Sequence, residues 1–255
     1  MEFDQTYRLD PIFFAITVFG GGVGVIILIT YINLLEKVAL TAGLVGVELG
    51  IGLALLMMNY LFLQRGDVEI IVDMDVIRPL GLGFGAFGIL IVTVAFISAL
   101  EPLVGNALLG LVSSLGWSAE NLGKFNFFSY ATFLSGMPMA VFESPVYILS
   151  SSIAILAAIA ETIFFQGGIY QAVIGLTADN HTLGIMYGAV ISSLIFCMAH
   201  LARYSSYPWF LVVVFVAGVV FCLSYELSGY LSVPLIGHLV WNFATIYGFS
   251  TLALQ

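Results

Sequence analysis

Four polar side chains with the parts needed for hydrolysis lie inside apolar runs in the second half of the chain. Glu161 interrupts one run, His200 ends a second run that contains Phe196, and His238 and Asn242 share a third. A carboxylate with an imidazole can deprotonate and orient a water molecule, and an imidazole with a carboxamide can stabilise a developing oxyanion. His238 and Asn242 are four residues apart, so one helix face would present both. The set predicts a hydrolytic site, provided that the surrounding helices bring these groups together.

The composition predicts that these helices cross a membrane. The chain is 61% hydrophobic and 8% charged, whereas soluble domains are roughly 45–50% apolar and about 25% charged. Its apolar runs are long and continuous, as membrane helices of ~20 residues require, and they lack the ~10-residue alternating segments of a β-barrel. We therefore predict an all-α, polytopic integral membrane bundle of about eight transmembrane helices. No linker or repeat divides it, so residues 1–255 are expected to form a single domain.

The predicted spans are separated by polar junctions, prolines and glycines. The apolar runs cover residues 12–35, 40–63, 80–100, 103–117, 126–142, 146–176, 183–201, 208–227 and 230–250, which is eight spans without the short run 103–117. The short run 103–117 is the weakest span and follows a helix break predicted at Glu101-Pro102, and a second break is predicted at Gly167-Gly168. Residues 64–78 form the largest polar connector, and their mixture of acidic and apolar residues predicts a short interfacial helix or strand.

Glycines predict close helix packing in the first half of the chain. Those in the first two spans predict a tight antiparallel pair; they are Gly20, Gly21, Gly22, Gly24, Gly43, Gly46, Gly50 and Gly52. The segment from Gly83 to Gly88 matches G-x-G-x-x-G, but inside a membrane run it indicates helix packing rather than a dinucleotide site. Glu48 lies within the second span, where we expect it to be protonated and hydrogen-bonded or to face the bundle.

Charge and cysteine usage restrict the partners and the topology. The net charge of −9 argues against nucleic acid and anionic lipid surfaces as partners, whereas the apolar runs predict membrane lipids and other membrane-associated molecules. The two cysteines, Cys197 and Cys222, lie in apolar runs and imply no disulfide framework. The first apolar run lacks a basic segment before it and is expected to be a retained helix in the plasma membrane. The positions of the arginines favour a cytoplasmic N-terminus.

The order and context of the four polar residues resemble a known family of membrane proteases. The segments A-I-A-E-T-I-F-F-Q-G, F-C-M-A-H and V-P-L-I-G-H-L-V-W-N-F contain Glu161, His200, and the His238/Asn242 pair, respectively. They are similar to the motifs E-E-x-x-x-R, F-x-x-x-H and H-x-x-x-N of the CPBP family, the intramembrane CaaX-type prenyl endopeptidases and their bacteriocin-processing relatives. The resemblance covers about residues 125–250.

The resemblance implies a membrane-embedded endopeptidase of the glutamate type that cleaves a membrane-associated or lipidated peptide. It implies no cofactor and no metal. Glu161 would be the general base and His200 its partner in activating water. His238 and Asn242 would form the oxyanion hole.

The chain departs from the family at two positions of the first motif. The family's second Glu falls on Thr162 and its Arg falls on Gln166, four residues apart, where the family can form a helical ion pair. Losing both partners of a buried pair can be nearly neutral, whereas losing one leaves a stranded charge. A Thr162–Gln166 hydrogen bond can keep this helix face in place. Two readings remain open: a working endopeptidase, and a catalytically inactive relative that serves as a structural or assembly subunit of a larger membrane complex.

Three other functions fit the residues less well. Cys197 and His200 have the spacing of a thiol and its base, but no third group orients the imidazole. Glu161 and the two histidines are possible metal ligands, but the H-E-x-x-H spacing of zinc proteases is absent. Glu48, Glu161 and Glu226 would suit an ion or proton transporter, but the repeated halves typical of transporters are absent.

Overall fold

The computed structural model describes residues 7–30, 38–62, 70–114, 145–177, 180–201 and 208–244. The first half contains α1 (Pro11–Ala15), π1 (Ile16–Gly20), α2 (Gly21–Thr30), α3 (Val38–Phe62) and α4 (Ile77–Ser114). The second half contains α5 (Pro145–Glu161), π2 (Thr162–Tyr170), α6 (Gln171–Leu176), α7 (His181–Ala199), α8 (Pro208–Ser228) and α9 (Ser232–Phe243). The strands are β1 (Tyr7–Leu9) and β2 (Ile70–Val72).

The described residues are almost entirely helical, which confirms the all-α prediction. Among the residues that the structure describes, five helical stretches are long and apolar enough to cross a membrane: Pro11–Thr30, Ile77–Ile97, Ser151–Leu176, His181–Ala199 and Leu211–Ser228. The chain is an integral membrane protein, and the large apolar side chains exposed along these helices are suited to contact with lipid. The count of eight spans stays a prediction, and the predicted span 126–142 lies outside the described residues.

The connector between α3 and α4 contains a strand, as one of the two alternatives predicted. Ile70–Val72 pairs in parallel with Tyr7–Leu9, and Tyr7 lies opposite Ile70. The pairing provides hydrogen-bond partners for backbone N–H and C=O groups of both strands. The pair ties the beginning of the chain to the segment that leads into α4.

Both predicted helix breaks are wrong. Helix α4 runs without interruption from Ile77 through Pro102 to Ser114, so the third and fourth predicted spans are one helix. Proline removes one backbone donor, and membrane helices tolerate this loss where neighbouring groups compensate. At Gly167-Gly168 the chain also remains helical, because the π2 segment continues into α6. A widened helical register, rather than a break, accommodates these glycines.

Four glycines of the first two spans approach the second half of the chain, which corrects the predicted tight pair; they are Gly20, Gly21, Gly24 and Gly52. Among the described residues, α2 packs mainly on α5, and α3 packs on α5 and π2. A Cβ added at Gly24 would lie 3.0 Å from Leu156 of α5, and one at Gly52 would lie 2.8 Å from the backbone of Phe164 in π2. Glycine permits close approach to any helix, so its position in the sequence does not identify the partner.

The turn between α8 and α9 anchors the helix that carries His238. Gly229 has φ 71°, a left-handed conformation that favours glycine. The Tyr230 hydroxyl donates to Asp73, and the Ser232 hydroxyl donates to the buried Asp10, which also caps α1. These two contacts connect the segment before α4 to the turn, and the residue before α1 to the first residue of α9.

We expect Gly83→Ala and Gly85→Ala to differ sharply although both glycines belong to the G-x-G-x-x-G segment. A Cβ at Gly83 would lie 2.6 Å from Cβ of Ile236 in α9, whereas a Cβ at Gly85 would meet nothing within 4 Å. Overpacking of this kind costs about 1–3 kcal/mol. Thermal unfolding in detergent should show a lower midpoint for Gly83→Ala and an unchanged or higher midpoint for Gly85→Ala. Equal midpoints would contradict the α4–α9 contact.

Candidate functional site

Glu161 lies where an α-helix widens into a π-helix. It is the last residue of α5, and π2 begins at Thr162. Helix α5 packs against α2, α3 and α9, while π2 packs against α3 and α7. π-helical segments occur frequently at functional sites, because the change of register redirects side chains relative to a regular helix. The junction thus directs Glu161 toward the interior of the bundle.

The structure brings Glu161, His200 and His238 together from α5, the end of α7, and α9. One carboxylate oxygen of Glu161 lies 3.4 Å from Nε2 of His238, and the other lies 3.8 Å from Nε2 of His200. The exposed fractions of the side chains are 13% for Glu161, 19% for His200 and 6% for His238. A single carboxylate is therefore flanked by two imidazoles in a largely buried position that is not fully closed.

The orientation of His200 follows from a backbone contact. Nδ1 of His200 lies 2.8 Å from the carbonyl oxygen of Phe196, one turn earlier. Because a carbonyl oxygen only accepts hydrogen bonds, Nδ1 carries the hydrogen. In the neutral imidazole Nε2 then has the lone pair, and this nitrogen faces Glu161. Nε2 of His200 and the Glu161 carboxylate can both accept a hydrogen from one water molecule placed between them.

Aromatic rings hold His238. Its ring stacks on Phe221 of α8, with centroids 5.1 Å apart and an interplanar angle of 25°. The edge-to-face contact with Phe196 has a centroid distance of 5.9 Å. Nδ1 of His238 is buried and has no hydrogen-bond partner among the described residues. Ring packing, rather than a polar partner at Nδ1, therefore sets the plane of this imidazole.

Asn242 is the fourth predicted site residue, and it lies one turn further along α9. A turn of four residues places it about 6 Å from His238 along the helix axis. Its Nδ2 donates to the backbone carbonyl of Ala154 in α5, at 3.2 Å. This bond also fixes the position of α9 on α5.

The two neutral residues of the first motif are both buried, but they do not bind each other. Nε2 of Gln166 lies 4.0 Å from the sulfur of Cys222 in α8 and donates to it. The Thr162 hydroxyl is buried and has no hydrogen-bond partner within the described part of the chain. The Thr162–Gln166 hydrogen bond considered from the sequence is therefore not formed. The Gln166 amide is directed to α8 instead.

A second polar cluster was not predicted as a unit. Glu226 of α8 accepts a hydrogen bond from the buried Tyr170 hydroxyl at 2.9 Å, and its other oxygen lies 3.0 Å from Nε2 of His181. His181 and His200 lie at opposite ends of α7, about 28 Å apart at 1.5 Å per residue. From the sequence, Glu226 is considered only as part of an ion or proton transporter. The signal in the sequence is a single carboxylate within an apolar helix, but the residues that bind it, Tyr170 and His181, lie in distant segments.

The thiol site and the metal site considered from the sequence have no matching geometry among the described residues. The Cys197 thiol donates to the carbonyl of Leu211, whereas the two nitrogens of His200 face Phe196 and Glu161. Within the described ranges, no three or more His, Cys, Asp and Glu side chains have an arrangement that could hold a metal ion.

One comparison with known proteins, the match to a family model, agrees with the motifs. The family model described as type II CAAX prenyl endopeptidase Rce1-like matches residues 142–244. This match is consistent with the CPBP family. It confirms the resemblance read from the three motifs over a slightly shorter range. The matched segment contains α5 through α9, and with them Glu161, His200, His238 and Asn242. No curated protein and no solved structure matches the chain.

We expect Thr162→Val to leave the protein as stable as the wild type or more stable. The buried hydroxyl makes no hydrogen bond among the described residues, and burying such a group costs about 1–3 kcal/mol. Ser152→Ala provides a matched loss of a buried hydroxyl, because the Ser152 hydroxyl does bond the Ile148 carbonyl. Unfolding midpoints in lipid nanodiscs should rise or stay constant for Thr162→Val and fall for Ser152→Ala. A large destabilisation by Thr162→Val would show that the hydroxyl has a partner.

Proposed function

We propose that this protein is an intramembrane endopeptidase of the CaaX/CPBP glutamate type that hydrolyses a peptide bond. The observation that carries the proposal is the position of the Glu161 carboxylate, 3.4 Å from Nε2 of His238 and 3.8 Å from Nε2 of His200. All three residues belong to the segment that matches the type II CAAX prenyl endopeptidase model. A carboxylate paired with two imidazoles suits hydrolysis in a setting that is otherwise apolar.

In the proposed mechanism, Glu161 and His200 activate one water molecule. The carboxylate removes one proton from the water, and the hydrogen that stays on the oxygen donates a hydrogen bond to Nε2 of His200, which orients the oxygen. The resulting hydroxide attacks the carbonyl carbon of the scissile peptide bond. Protonated Glu161 then transfers its proton to the departing amine, which restores the carboxylate as the peptide bond breaks. The sequence of steps needs no cofactor and no metal.

His238 and Asn242 are proposed to stabilise the oxyanion. An imidazole N–H of His238 and the carboxamide N–H of Asn242 would donate to the negative oxygen. The packing of His238 on Phe221 supports this role, because a donor that is fixed before the reaction needs no reorganisation. Removing one donor of an oxyanion hole typically costs 2.7–4 kcal/mol, about 10²–10³ in kcat.

The proposed substrate is a membrane-associated or lipidated peptide. The site lies in a bundle whose outer surface is apolar, so a soluble peptide would have to leave water to reach it. A peptide that is already inserted in the membrane or attached to it by a lipid avoids this cost. We further propose that residues 1–255 act as one domain in the plasma membrane with a cytoplasmic N-terminus.

Glu161→Gln should abolish peptide hydrolysis while the protein stays folded. The carboxamide keeps the size of the side chain but cannot take a proton from water, so the loss should reach about 10³-fold or more. Glu48→Gln is the control, since Glu48 is a half-buried carboxyl on α3, outside the segment that matches the family. Mass spectrometry of proteoliposomes containing prenylated and unmodified membrane peptides would measure the products.

The result for Glu161→Gln decides the proposal. Hydrolysis at the wild-type rate by Glu161→Gln would exclude Glu161 as the base. Equal losses in Glu161→Gln and Glu48→Gln would point to a general effect of removing a membrane carboxyl. Proton flux into the same liposomes that Glu161→Gln stops would favour the transport function instead.

A catalytically inactive subunit is the second candidate. The observation that favours it is the buried Thr162 hydroxyl, which lacks a hydrogen-bond partner among the described residues at the position where the family has its second Glu. Such a protein would serve a structural or assembly role, with other membrane subunits covering its apolar helices. Under this hypothesis, purification in a mild detergent yields the chain together with other membrane proteins in fixed stoichiometry. Recovery of the chain alone, with peptide hydrolysis, would exclude it.

A further inference from the structure

Side chains of α7 and α8 bind π2 at three positions, Phe165, Gln166 and Tyr170. The Ser192 hydroxyl of α7 donates to the carbonyl oxygen of Phe165 at 2.8 Å, and both residues are buried. Gln166 then donates to Cys222 of α8, and Tyr170 donates to Glu226 of α8. The π-helical segment that begins directly after Glu161 is therefore held from two sides by hydrogen bonds that cross between helices.

The spacing of these contacts prevents π2 from sliding along α8. Gln166 and Tyr170 are four residues apart on π2, and their partners Cys222 and Glu226 are four residues apart on α8. A shift of π2 by one residue would break both contacts together. Burying a polar group without a partner is costly in an apolar interior, so the two contacts favour a single register.

The contact of Ser192 differs in kind, because it binds the backbone of π2. A change between α-helical and π-helical bonding alters which carbonyl each amide can reach, so backbone groups in this region need other partners. Serine in a membrane helix often bonds the carbonyl four residues earlier in its own helix. Ser192 instead reaches across to Phe165, four residues after Glu161.

Ser192 also connects the two sides of the candidate site. It lies on α7 eight residues before His200, about 12 Å along the helix axis. The same helix that supplies His200 therefore fixes the backbone segment that starts at Glu161. The distance between the carboxylate and this imidazole depends on the position of π2 relative to α7.

We propose that Ser192 is a positioning residue: its bond to the Phe165 carbonyl holds π2 in the register that directs the Glu161 carboxylate to His200 and His238. The effect of Ser192 on hydrolysis rests on the proposed function. The effect of Ser192 on the orientation of Glu161 does not, because that orientation can be measured whether or not the protein cleaves a peptide.

The adjacent serine supplies a matched control. The Ser193 hydroxyl is also buried, but it makes no hydrogen bond to π2. Ser193 packs against Gly218 of α8, where a Cβ would lie 2.8 Å from its hydroxyl oxygen. Ser192→Ala and Ser193→Ala thus remove the same atom from neighbouring buried positions, and only the first removes a hydrogen bond to π2.

The test measures how fast a membrane-permeant carbodiimide labels Glu161 in the full-length chain in lipid nanodiscs. The reagent adds to protonated carboxyl groups, and mass spectrometry of the Glu161 peptide gives the rate at each pH. In Ser192→Ala, the carboxyl is no longer held between the two imidazoles and becomes more accessible to the reagent. We expect labelling at neutral pH to become about threefold faster or more, which corresponds to the loss of one typical hydrogen bond. Ser193→Ala should keep the wild-type rate.

The outcomes separate this proposal from the proposed function. Identical labelling rates for wild type and Ser192→Ala would overturn the positioning role, as would equal changes in both serine variants. A change in labelling confined to Ser192→Ala supports the positioning role even if no peptide is cleaved, in which case the proposed function alone fails.

If hydrolysis is observed, Ser192→Ala should lower kcat without changing KM, because the hydroxyl does not touch the substrate. Should Ser192→Ala fail to fold, Ser192→Cys, which keeps the volume and a weaker donor, replaces it in the same measurement.

Discussion

A carboxylate held between two imidazoles inside an apolar bundle is the constraint on which the rest of this structure depends. A charged side chain in the hydrocarbon region costs at least about 2.5–3.5 kcal/mol, and it persists only with polar partners or access to water. Nε2 of His238 and Nε2 of His200 supply those partners for Glu161 at 3.4 Å and 3.8 Å. Each of the three groups comes from a different helix, so the geometry exists only when α5, α7 and α9 are packed together. The stability of the bundle and the chemistry of its centre are thereby linked.

The packing around this centre uses contacts that bring backbones close together. Gly24 of α2 and Gly52 of α3 allow these helices to lie directly on α5 and π2, and Gly83 allows α4 to lie on α9. Helices of the first half of the chain thus pack directly against the segment that matches the family model. Close packing of small residues is the main source of association where lipid and protein are equally apolar. The helices outside residues 142–244 therefore have a direct role in shaping the site.

The polar groups inside the bundle divide into two kinds. Asp10, Tyr170, Ser192 and Glu226 have partners on other helices or turns, and they fix how these elements sit against each other. Thr162 and His238, by contrast, each have one buried polar atom without a partner among the described residues, and both lie next to or within the candidate site. Thr17, Gln171 and Ser193 also have such an atom, although they lie outside the site. The hydrogen bonds between elements therefore identify the supporting framework, whereas an unsatisfied atom does not by itself identify the site.

The sequence by itself determined that the chain is helical and lies in a membrane, because apolar runs of spanning length have no other way to satisfy their backbone. It also determined the candidate residues, since so few polar groups interrupt those runs and three motifs place them in order. Only the tertiary structure decided which helices the glycines approach, that α4 continues through Pro102, and that Glu161 stands at the start of a π-helix. It also decided the partners of Gln166, Ser192 and Asn242. These features depend on contacts between residues far apart in the sequence, and the pattern along one helix does not specify which partner the other helices present.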